Sequence, residues 1–272
     1  MTPVAFVSRQ ERFESIPSTN DVIREWLGEG TAEVCLAVAA EQTAGRGRSG
    51  RSWIAPRGAA LLMSLGFRPK YLAAEAAWRL AAVVSLAMAD AAEDTCGLRA
   101  GTLRLKWPND LVVDHGGIVR KIAGVLGETE GAGTSDPRAV VGIGVNCDWA
   151  RADFPAGLAA TMTSLGEVSG GRPVDTDELL AAFLDRLEPR VLALREGHFD
   201  VAGWHDRQIT TGRMVRLEGS GGAADEVLAV GVDGATGALI VADAAGEERE
   251  VVAGEVVHVR LAGAASGSGV TP

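Results

Sequence analysis

Apolar residues recur along the chain at helical spacing in three segments, and each segment predicts a helix. Residues 22–27 place them on one face, which predicts a short amphipathic helix over 19–28. An alanine-rich segment predicts a second helix over 73–94. A third helix follows Asp175, and Pro189 within it is expected to bend or interrupt it.

Apolar runs of two other kinds predict a β-sheet. Some are continuous, and one alternates with Arg104 and Lys106, as expected of a strand with one buried face. The predicted strands cover 34–40, 60–67, 103–107, 121–128 and 140–145. Residues 114–117 predict a hairpin turn before the strand at 121–128.

The composition changes after residue 208. Short apolar segments separated by Gly or Asp then recur, a pattern typical of a small all-β barrel. These segments cover 213–218, 226–232, 238–243, 249–252 and 255–260. We therefore expect a larger domain over 1–208, a barrel over 209–262 and a flexible tail over 263–272.

The chain carries a formal net charge of −10, and 47% of its residues are hydrophobic. These values predict a soluble folded protein and argue against general binding to nucleic acid or membrane, because phosphate contacts need a basic face. Residues 1–17 contain no helix-turn-helix pattern, so no contact with DNA is expected. Cys35, Cys96 and Cys147 are far apart and predict neither a disulfide nor a metal site. Without a signal peptide or a long apolar run, the protein is expected in the cytoplasm.

Positive charge is concentrated in the Arg–Gly loop, residues 45–53, whose sequence is GRGRSGRSW. Glycine lets the backbone approach a ligand, arginine offers planar donors to phosphate or carboxylate, and Trp53 can stack on a base. A solvated turn and an RGG-like nucleic-acid segment are alternative interpretations. The single copy in an acidic, folded chain favours a local site for an anion.

Polar residues stand at the ends of several predicted elements and are candidates for a site. They are Ser18, Thr19 and Asn20 at the first helix, Lys106, Asn109 and Asp110 after one strand, Lys121 at the start of another and Asn146 at the end of a third. A helix cap explains the first group without any function, and a surface salt bridge explains the second. A lysine that enters a core strand usually extends its ammonium group to solvent.

Five segments with these residues occur in a fixed order along the chain. They are Ser-Thr-Asn at 18–20, EQTAGRGRSGRSW at 41–53, KWPND at 106–110, KIAGVLGE at 121–128 and GIGVN at 142–146. Together they resemble biotin protein ligases of the type without a DNA-binding domain, from about residue 15 to 262. The resemblance implies an α+β fold in which a class II synthetase-like catalytic domain with a mixed sheet precedes a small SH3-like barrel.

The resemblance also implies a reaction in two steps. Biotin and ATP, which brings Mg²⁺ to a protein without its own metal site, give biotinyl-5′-AMP and pyrophosphate. A lysine of the biotin carboxyl carrier domain of an acyl-CoA carboxylase then takes the biotinyl group and releases AMP. A monomer or weak homodimer is expected.

Site residues are implied at the matching positions. Biotin is expected to contact Ser18, Thr19, Asn20, Gln42, Arg46, Gly47, Arg48 and Lys121. ATP or the adenylate is expected to contact Arg48, Arg51, Trp53, Lys106 and Asn146. The catalytic residues are expected to be Arg48, Lys106, Lys121 and Asp110, the last as acceptor of a proton from the carrier lysine or as the group that orients it. The Arg–Gly loop is expected to close over the intermediate and to keep water away.

The sequence departs from the family pattern at two places. Residues 117–120 suggest a longer turn before Lys121, and Gly127 suggests extra space near Glu128. Two alternatives remain open: a lipoate or octanoyl ligase or transferase of the same fold, and a ligand-binding module without catalysis. The Arg–Gly loop and the barrel favour biotin over lipoate, and Lys106 with Lys121 favours an enzyme over a binding module.

Overall fold

A seven-stranded mixed sheet forms the larger part of the protein. The computed structural model describes residues 6–219, 224–252 and 256–261. The strands are β1 (Arg9–Phe13), β2 (Cys35–Ala39), β3 (Ala60–Phe67), β4 (Arg104–Lys106), β5 (Asp110–His115), β6 (Ile118–Glu130) and β7 (Arg138–Asn146). Their order in the sheet is β1-β2-β3-β7-β6-β5-β4, so β4 lies at one edge. The pair β1 and β2 is parallel, and all other neighbouring pairs are antiparallel.

Helices cover both faces of this sheet. They are α1 (Thr19–Gly28), α2 (Trp78–Thr95), α3 (Leu165–Val168), α4 (Thr176–Arg195) and α5 (Val201–Asp206). Ile23 and Leu27 of α1 pack with Cys35 of β2 in a small cluster, and we call this side of the sheet the α1 face. Alternate strand residues such as Leu36 and Val38 instead join the main core, which includes α2 and α4.

The C-terminal part forms a second, antiparallel sheet. Its strands are β8 (Arg213–Gly219), β9 (Ala224–Val232), β10 (Leu239–Ala242), β11 (Glu248–Val251) and β12 (Val256–Leu261), in the order β11-β10-β9-β8-β12. All five segments of apolar residues therefore became strands, and the expected fold class is confirmed. The division at residue 208 stays a prediction, and the tail predicted for 263–272 lies outside the described residues.

Several elements differ from the sequence prediction, and among them strand β5 and the four-residue helix α3 were not predicted. Strand β1 was not predicted, because its sequence RQERF is polar and largely exposed at the edge of the sheet. Helix α5 was also not predicted, since it has only six residues. Helix α4 continues through Pro189 without interruption, and α2 begins at Trp78, after a short 3₁₀ turn at Ala74–Ala76.

The turn between β5 and β6 is shorter than predicted. His115 pairs with Ile118, so only Gly116 and Gly117 form the turn, with φ angles of +62° and +87°. A two-residue turn with both φ angles positive matches the twist of a hairpin and favours glycine at both positions. The prediction of a longer turn before Lys121 was wrong, because the added residues extend β6 instead.

Candidate active site

A cavity of about 650 Å³ opens on the α1 face of the sheet. The predicted site residues that line it are Ser18, Thr19, Asn20, Gln42, Arg46, Gly47, Arg48, Arg51, Trp53, Lys106, Asp110 and Lys121. They come from the start of α1, the Arg–Gly loop and strands β4 to β6. Residues far apart in the sequence therefore meet at one cavity.

Asn146 is placed differently. It is fully buried and does not line the cavity, and its Nδ2 donates to the carbonyl oxygen of Thr163 at 3.0 Å. Within the described residues, its Oδ1 has no hydrogen-bond partner. A buried acceptor without a partner costs free energy.

One end of the cavity is a largely buried network of hydroxyl and amide groups, which we call the neutral end and which the Glu128 carboxylate borders on one side. Gln42 Oε1 accepts from the backbone N–H of Thr19 at 2.7 Å and from Thr19 Oγ1 at 3.0 Å. Ser64 Oγ lies 2.6 Å from Thr19 Oγ1 and donates to Asn20 Oδ1 at 2.5 Å. Asn20 Nδ2 donates to Glu128 at 2.6 Å. These contacts fix the orientation of the Asn20 amide.

Ser18 occupies the N-cap position of α1 and is buried. In the part of the chain that the structure describes, its side chain makes no capping hydrogen bond to the helix. The simple explanation by a helix cap therefore does not account for Ser18. Its hydroxyl lies at the polar end of the cavity instead.

The Arg–Gly loop is folded back on itself. The backbone N–H of Trp53 donates to the carbonyl oxygen of Gly45 at 2.9 Å, and that of Gly47 donates to Arg51 at 2.6 Å. A Cβ atom at Gly45 would lie 2.5 Å from the Trp53 carbonyl oxygen, so the closure requires glycine there. The loop thus presents arginine side chains to the cavity from a compact hairpin.

Arg46 ties this loop to α1. Its Nη1 and Nη2 donate to the two oxygens of Asp21 at 2.9 and 2.7 Å. The hydrogen bond from Arg46 holds the pKa of Asp21 below its ordinary value. Since its charge is paired at α1, Arg46 is not one of the cations gathered around Asp110.

A β-bulge directs Lys121 into the cavity. Leu111 pairs with Ala123 but Val112 pairs with Lys121, so Ile122 is an extra residue on β6. Ile122 and Ala123 are both buried in the main core. Regular alternation would have placed Lys121 on the same side as Ala123. The bulge reverses this and turns the lysine toward the α1 face.

Lys106, Asp110 and Lys121 form a compact charged cluster. Asp110 Oδ1 lies 2.6 Å from Lys121 Nζ, and its Oδ2 lies 3.7 Å from Lys106 Nζ. The side chains of Lys106 and Asp110 are only 12% and 16% exposed, so the surface salt-bridge interpretation does not hold. Asn109 fixes the turn between them, because its Nδ2 donates to the Val125 carbonyl oxygen at 2.7 Å.

Burial and mutual charge set the protonation of this cluster. Burial lowers the pKa of Lys106, while Asp110 opposes that shift. Burial would raise the pKa of Asp110, but the charges of Lys121 and Lys106 outweigh it and hold this pKa below its ordinary value. Burial also lowers the pKa of Arg48. Asp110 is therefore an ionised carboxylate and a weak base.

Trp53 lies against the backbone of β6 and β7. A Cβ atom at Gly144 would lie 2.5 Å from Trp53 Cε2, and one at Gly124 would lie 3.0 Å from Cζ3. The two glycines therefore make room for the indole ring. Lys121 Nζ lies 5.3 Å from the ring centroid, within range of a cation–π contact.

Three residues of this region were missed from the sequence. Ser64 is a single hydroxyl in an apolar strand, and Glu128 was noted only as a neighbour of Gly127. Arg213 lines the cavity from the barrel, and nothing in its local sequence signals this. Gly127 faces α2, where an added Cβ would lie 3.8 Å from Ala81 Cβ, and the expected space near Glu128 stays a prediction.

The described residues contain no group of three His, Cys, Asp or Glu side chains that could hold a metal ion. Of the described residues that line the cavity, Asp110 is the only carboxylate, and it is paired with two lysines. Among the described helices, none has both the length and the apolar character needed to cross a membrane.

Comparisons with known proteins match both parts of the chain. A profile of the Biotin/lipoate A/B protein ligase family matches residues 12–146, and one of the Biotin protein ligase C terminal domain matches 210–259. A biotin--[acetyl-CoA-carboxylase] ligase of Mycobacterium tuberculosis is 31% identical over 89% of this chain and 86% of its own length. One of Paracoccus denitrificans is 34% identical over 82% and 90%.

A solved structure also indicates a biotin protein ligase. The biotin protein ligase from Aquifex aeolicus in complex with biotin and ATP superposes with a TM-score of 0.75 at 26% identity, covering 93% of this chain and 99% of its own. The fold and the cavity thus define the class of biotin and lipoate protein ligases. Within that class, the chain belongs to the biotin protein ligase family.

Proposed function

We propose that the protein is a biotin–[acetyl-CoA-carboxylase] ligase. It joins biotin to ATP as biotinyl-5′-AMP and then transfers the biotinyl group to a lysine of a biotin carboxyl carrier domain in the cytoplasm. The observation that carries this proposal is the cavity, because it joins a buried neutral polar end to a cluster of buried cations. The names of the relatives support the same activity.

The neutral end suits the ureido ring of biotin. That ring presents two N–H donors and one carbonyl acceptor, and each would cost about 1–3 kcal/mol if buried without a partner. Ser18, Thr19, Asn20 and Gln42 offer hydroxyl and amide groups at this end. The dithiolane ring of lipoate has no such donors or acceptors, so lipoate would leave these groups unpaired. The match to the biotin protein ligase C-terminal domain favours biotin as well.

The cationic end suits the reacting groups. A carboxylate oxygen of biotin attacks the α-phosphorus of ATP, and pyrophosphate leaves, so negative charge gathers at one point. Lys106, Lys121, Arg48 and Arg51 line this part of the cavity and stabilise that charge. Mg²⁺ would arrive with the triphosphate and neutralise part of its negative charge. We assign no protein ligand to this ion.

Asp110 holds the two lysines in place. In the second step the ε-amine of the carrier lysine attacks the acyl carbonyl carbon, the bond from that carbon to the phosphate oxygen breaks, AMP leaves, and the amine proton is released to solvent. A carboxylate whose pKa lies below its ordinary value accepts a proton poorly. We therefore assign Asp110 to orienting Lys121, Lys106 and the incoming amine rather than to proton removal.

Two further assignments complete the proposal. Trp53 and Asn146 address the adenine, since an indole can stack on a base and Asn146 Oδ1 is an acceptor that the exocyclic amino group could satisfy. The Arg–Gly loop acts as a lid, with Arg48 above the intermediate and Arg46 fixed to α1. Exclusion of water protects the reactive anhydride from hydrolysis.

The test is direct modification of a carrier domain. The protein is mixed with MgATP, a purified carrier domain and either biotin or lipoate, and the carrier is weighed by mass spectrometry. We expect a biotin-sized mass increase that disappears when the acceptor lysine is replaced. In the Lys121→Met variant, biotin-dependent ATP–pyrophosphate exchange should fall by about 100-fold or more.

Other outcomes would overturn parts of the proposal. Modification with lipoate alone would keep the reaction but reject the assignment of the neutral end to biotin. Modification with neither acid would favour a binding module without catalysis. Full exchange activity in Lys121→Met would reject the role of the cationic cluster.

A further inference from the structure

The hairpin that carries Lys106 and Asp110 lies at the edge of the main sheet. Its outer strand, β4, has only three residues and pairs with β5 on one side. On the other side, the segment before the barrel pairs with it instead of another strand. The backbone N–H of Leu105 donates to Arg207 O at 2.8 Å, and that of Ile209 donates to Leu105 O at 2.8 Å.

Trp107 links this hairpin to the C-terminal part of the chain twice. Its backbone N–H donates to Thr210 Oγ1 at 2.9 Å, and its indole Nε1 donates to the Gly237 carbonyl oxygen at 3.0 Å. Trp107 is 3% exposed and Thr210 is fully buried. Both N–H donors of a residue next to Lys106 are thus satisfied by the barrel and the segment that leads into it.

A third contact holds the other end of the hairpin. Arg213, the first residue of β8, donates from Nη2 to Asp114 Oδ2 at 2.7 Å. The hydrogen bond from Arg213 holds the pKa of Asp114 below its ordinary value. Asp110 and Asp114 are both on β5, so the barrel touches the strand that carries the catalytic carboxylate.

We infer that the C-terminal barrel sets the position of Lys106 and Asp110. Trp107 is the positioning residue, because its two hydrogen bonds connect the hairpin to the barrel and to the segment before it. The kinetic part of this inference rests on the proposed function. A three-residue edge strand offers little rigidity of its own, and an error of about 1 Å in the position of a catalytic group can cost about 100-fold in rate. Trp107 itself does not line the cavity.

The first test compares two matched substitutions. Trp107→Phe keeps an aromatic ring but removes the donor to Gly237. Trp78→Phe is the control, because Trp78 Nε1 donates to Ala235 of the same barrel loop at 3.3 Å but belongs to α2. We expect kcat for biotin-dependent ATP–pyrophosphate exchange to fall about 10-fold to 100-fold in Trp107→Phe only, with KM for biotin unchanged.

A second measurement does not depend on activity. The sequence contains 26 lysines and arginines, of which three are lysines: Lys70, Lys106 and Lys121. Acetic anhydride labelling, read by mass spectrometry, can therefore follow Lys106 with the exposed Lys70 as internal reference. If Trp107 positions Lys106, the labelling rate of Lys106 relative to Lys70 should rise several-fold in Trp107→Phe and stay unchanged in Trp78→Phe.

The outcomes separate this inference from the proposed function. No exchange in the wild-type protein would reject the proposed function, while the labelling result would still decide the positioning role. Wild-type kcat and wild-type labelling in Trp107→Phe would reject the inference alone, and so would equal changes in both variants. If Trp107→Phe does not fold, Thr210→Val removes the acceptor of the Trp107 backbone N–H and is expected to show the same two changes.

Discussion

At the scale of single residues, lysine is used sparingly. Two of the three lysines of the chain lie in the cavity, paired with Asp110, and apart from Lys70 the other basic side chains are arginines. An anhydride such as biotinyl-5′-AMP reacts with free amines. Lys70 is the only exposed lysine of the protein, so it is the only lysine side chain on the surface that released biotinyl-5′-AMP could modify.

The countercharge of Asp110 has a predicted effect on pH dependence. Burial lowers the pKa of Lys106 and Asp110 raises it, with Lys121 and Arg51 opposing. Asp110→Asn removes the raising interaction, so the pKa of Lys106 should fall further and the ammonium should be lost at lower pH. We expect exchange to fall by about 100-fold and its alkaline limb to move toward acid pH.

Pyrophosphate exchange measured from about pH 6 to about pH 10 checks this prediction. Asp136→Asn is the control, since Asp136 pairs with Arg138 at 2.8 Å and does not line the cavity. An alkaline limb that stays in place in Asp110→Asn would mean that Lys106 does not control it.

At the scale of elements, the Arg–Gly loop depends on one ion pair with α1. Asp21→Asn weakens the two hydrogen bonds from Arg46, and a partly exposed pair of this kind contributes about 0.5–1.5 kcal/mol. We expect bound biotinyl-5′-AMP to dissociate about 3-fold to 10-fold faster, with exchange activity retained. Release of labelled intermediate on gel filtration measures this.

A matched control accompanies the loop variant. Glu14→Gln removes another carboxylate paired with an arginine, Arg57, outside the Arg–Gly loop. A lysine-rich bystander protein should be biotinylated more with Asp21→Asn than with Glu14→Gln. Equal retention of the intermediate in both variants would contradict an anchoring role for Asp21.

Much of the fold followed from hydrophobic periodicity, and the exceptions have physical reasons. Strand β3 and helix α1 were predicted at their observed bounds, because both bury a continuous apolar face. Strand β1 is polar and gains its stability from pairing with β2, which local sequence does not encode. The bulge at Ile122 depends on the register between β5 and β6, so it could not be predicted from the local sequence either.

The site residues also fall into those that the sequence predicted and those that it did not. Residues in short local motifs, such as Lys106 and Asp110, were predicted together because one hairpin carries both. Ser64 and Arg213 reach the region from a distant strand and from the barrel, so no local pattern indicates them. Contacts between elements that are distant in sequence place these residues, and such contacts cannot be predicted from the local pattern of one sequence.

At the scale of the whole molecule, the sheet and the barrel share a partly buried junction. Trp78 packs with Phe199 and Trp204, and its ring lies against Gly237 of the barrel. The junction also includes the hydrogen bond from Trp107 to Gly237. Aromatic contacts of this kind couple the stability of the two parts.

This coupling predicts a single unfolding transition that responds to Gly237. At Gly237, φ is +73° and an added Cβ would lie 2.6 Å from the Trp78 ring, so alanine is both strained and in steric conflict. We expect Gly237→Ala to destabilise the whole protein by about 2–4 kcal/mol, with one transition at a lower Tm. Gly246→Ala is the control, since Gly246 has φ of +85° but nothing within 4 Å of an added Cβ.

Differential scanning calorimetry of the wild-type protein, Gly237→Ala and Gly246→Ala tests whether the sheet and the barrel unfold together. Gly246→Ala should lose only the backbone cost of about 1–2 kcal/mol in the free energy of unfolding, because it lacks the conflict with Trp78, and its Tm should therefore fall less. A second, lower transition in Gly237→Ala would mean that the barrel unfolds alone while the sheet stays folded. In that case the barrel would be an independently unfolding domain, and the contacts at Gly237 would not couple its stability to that of the sheet.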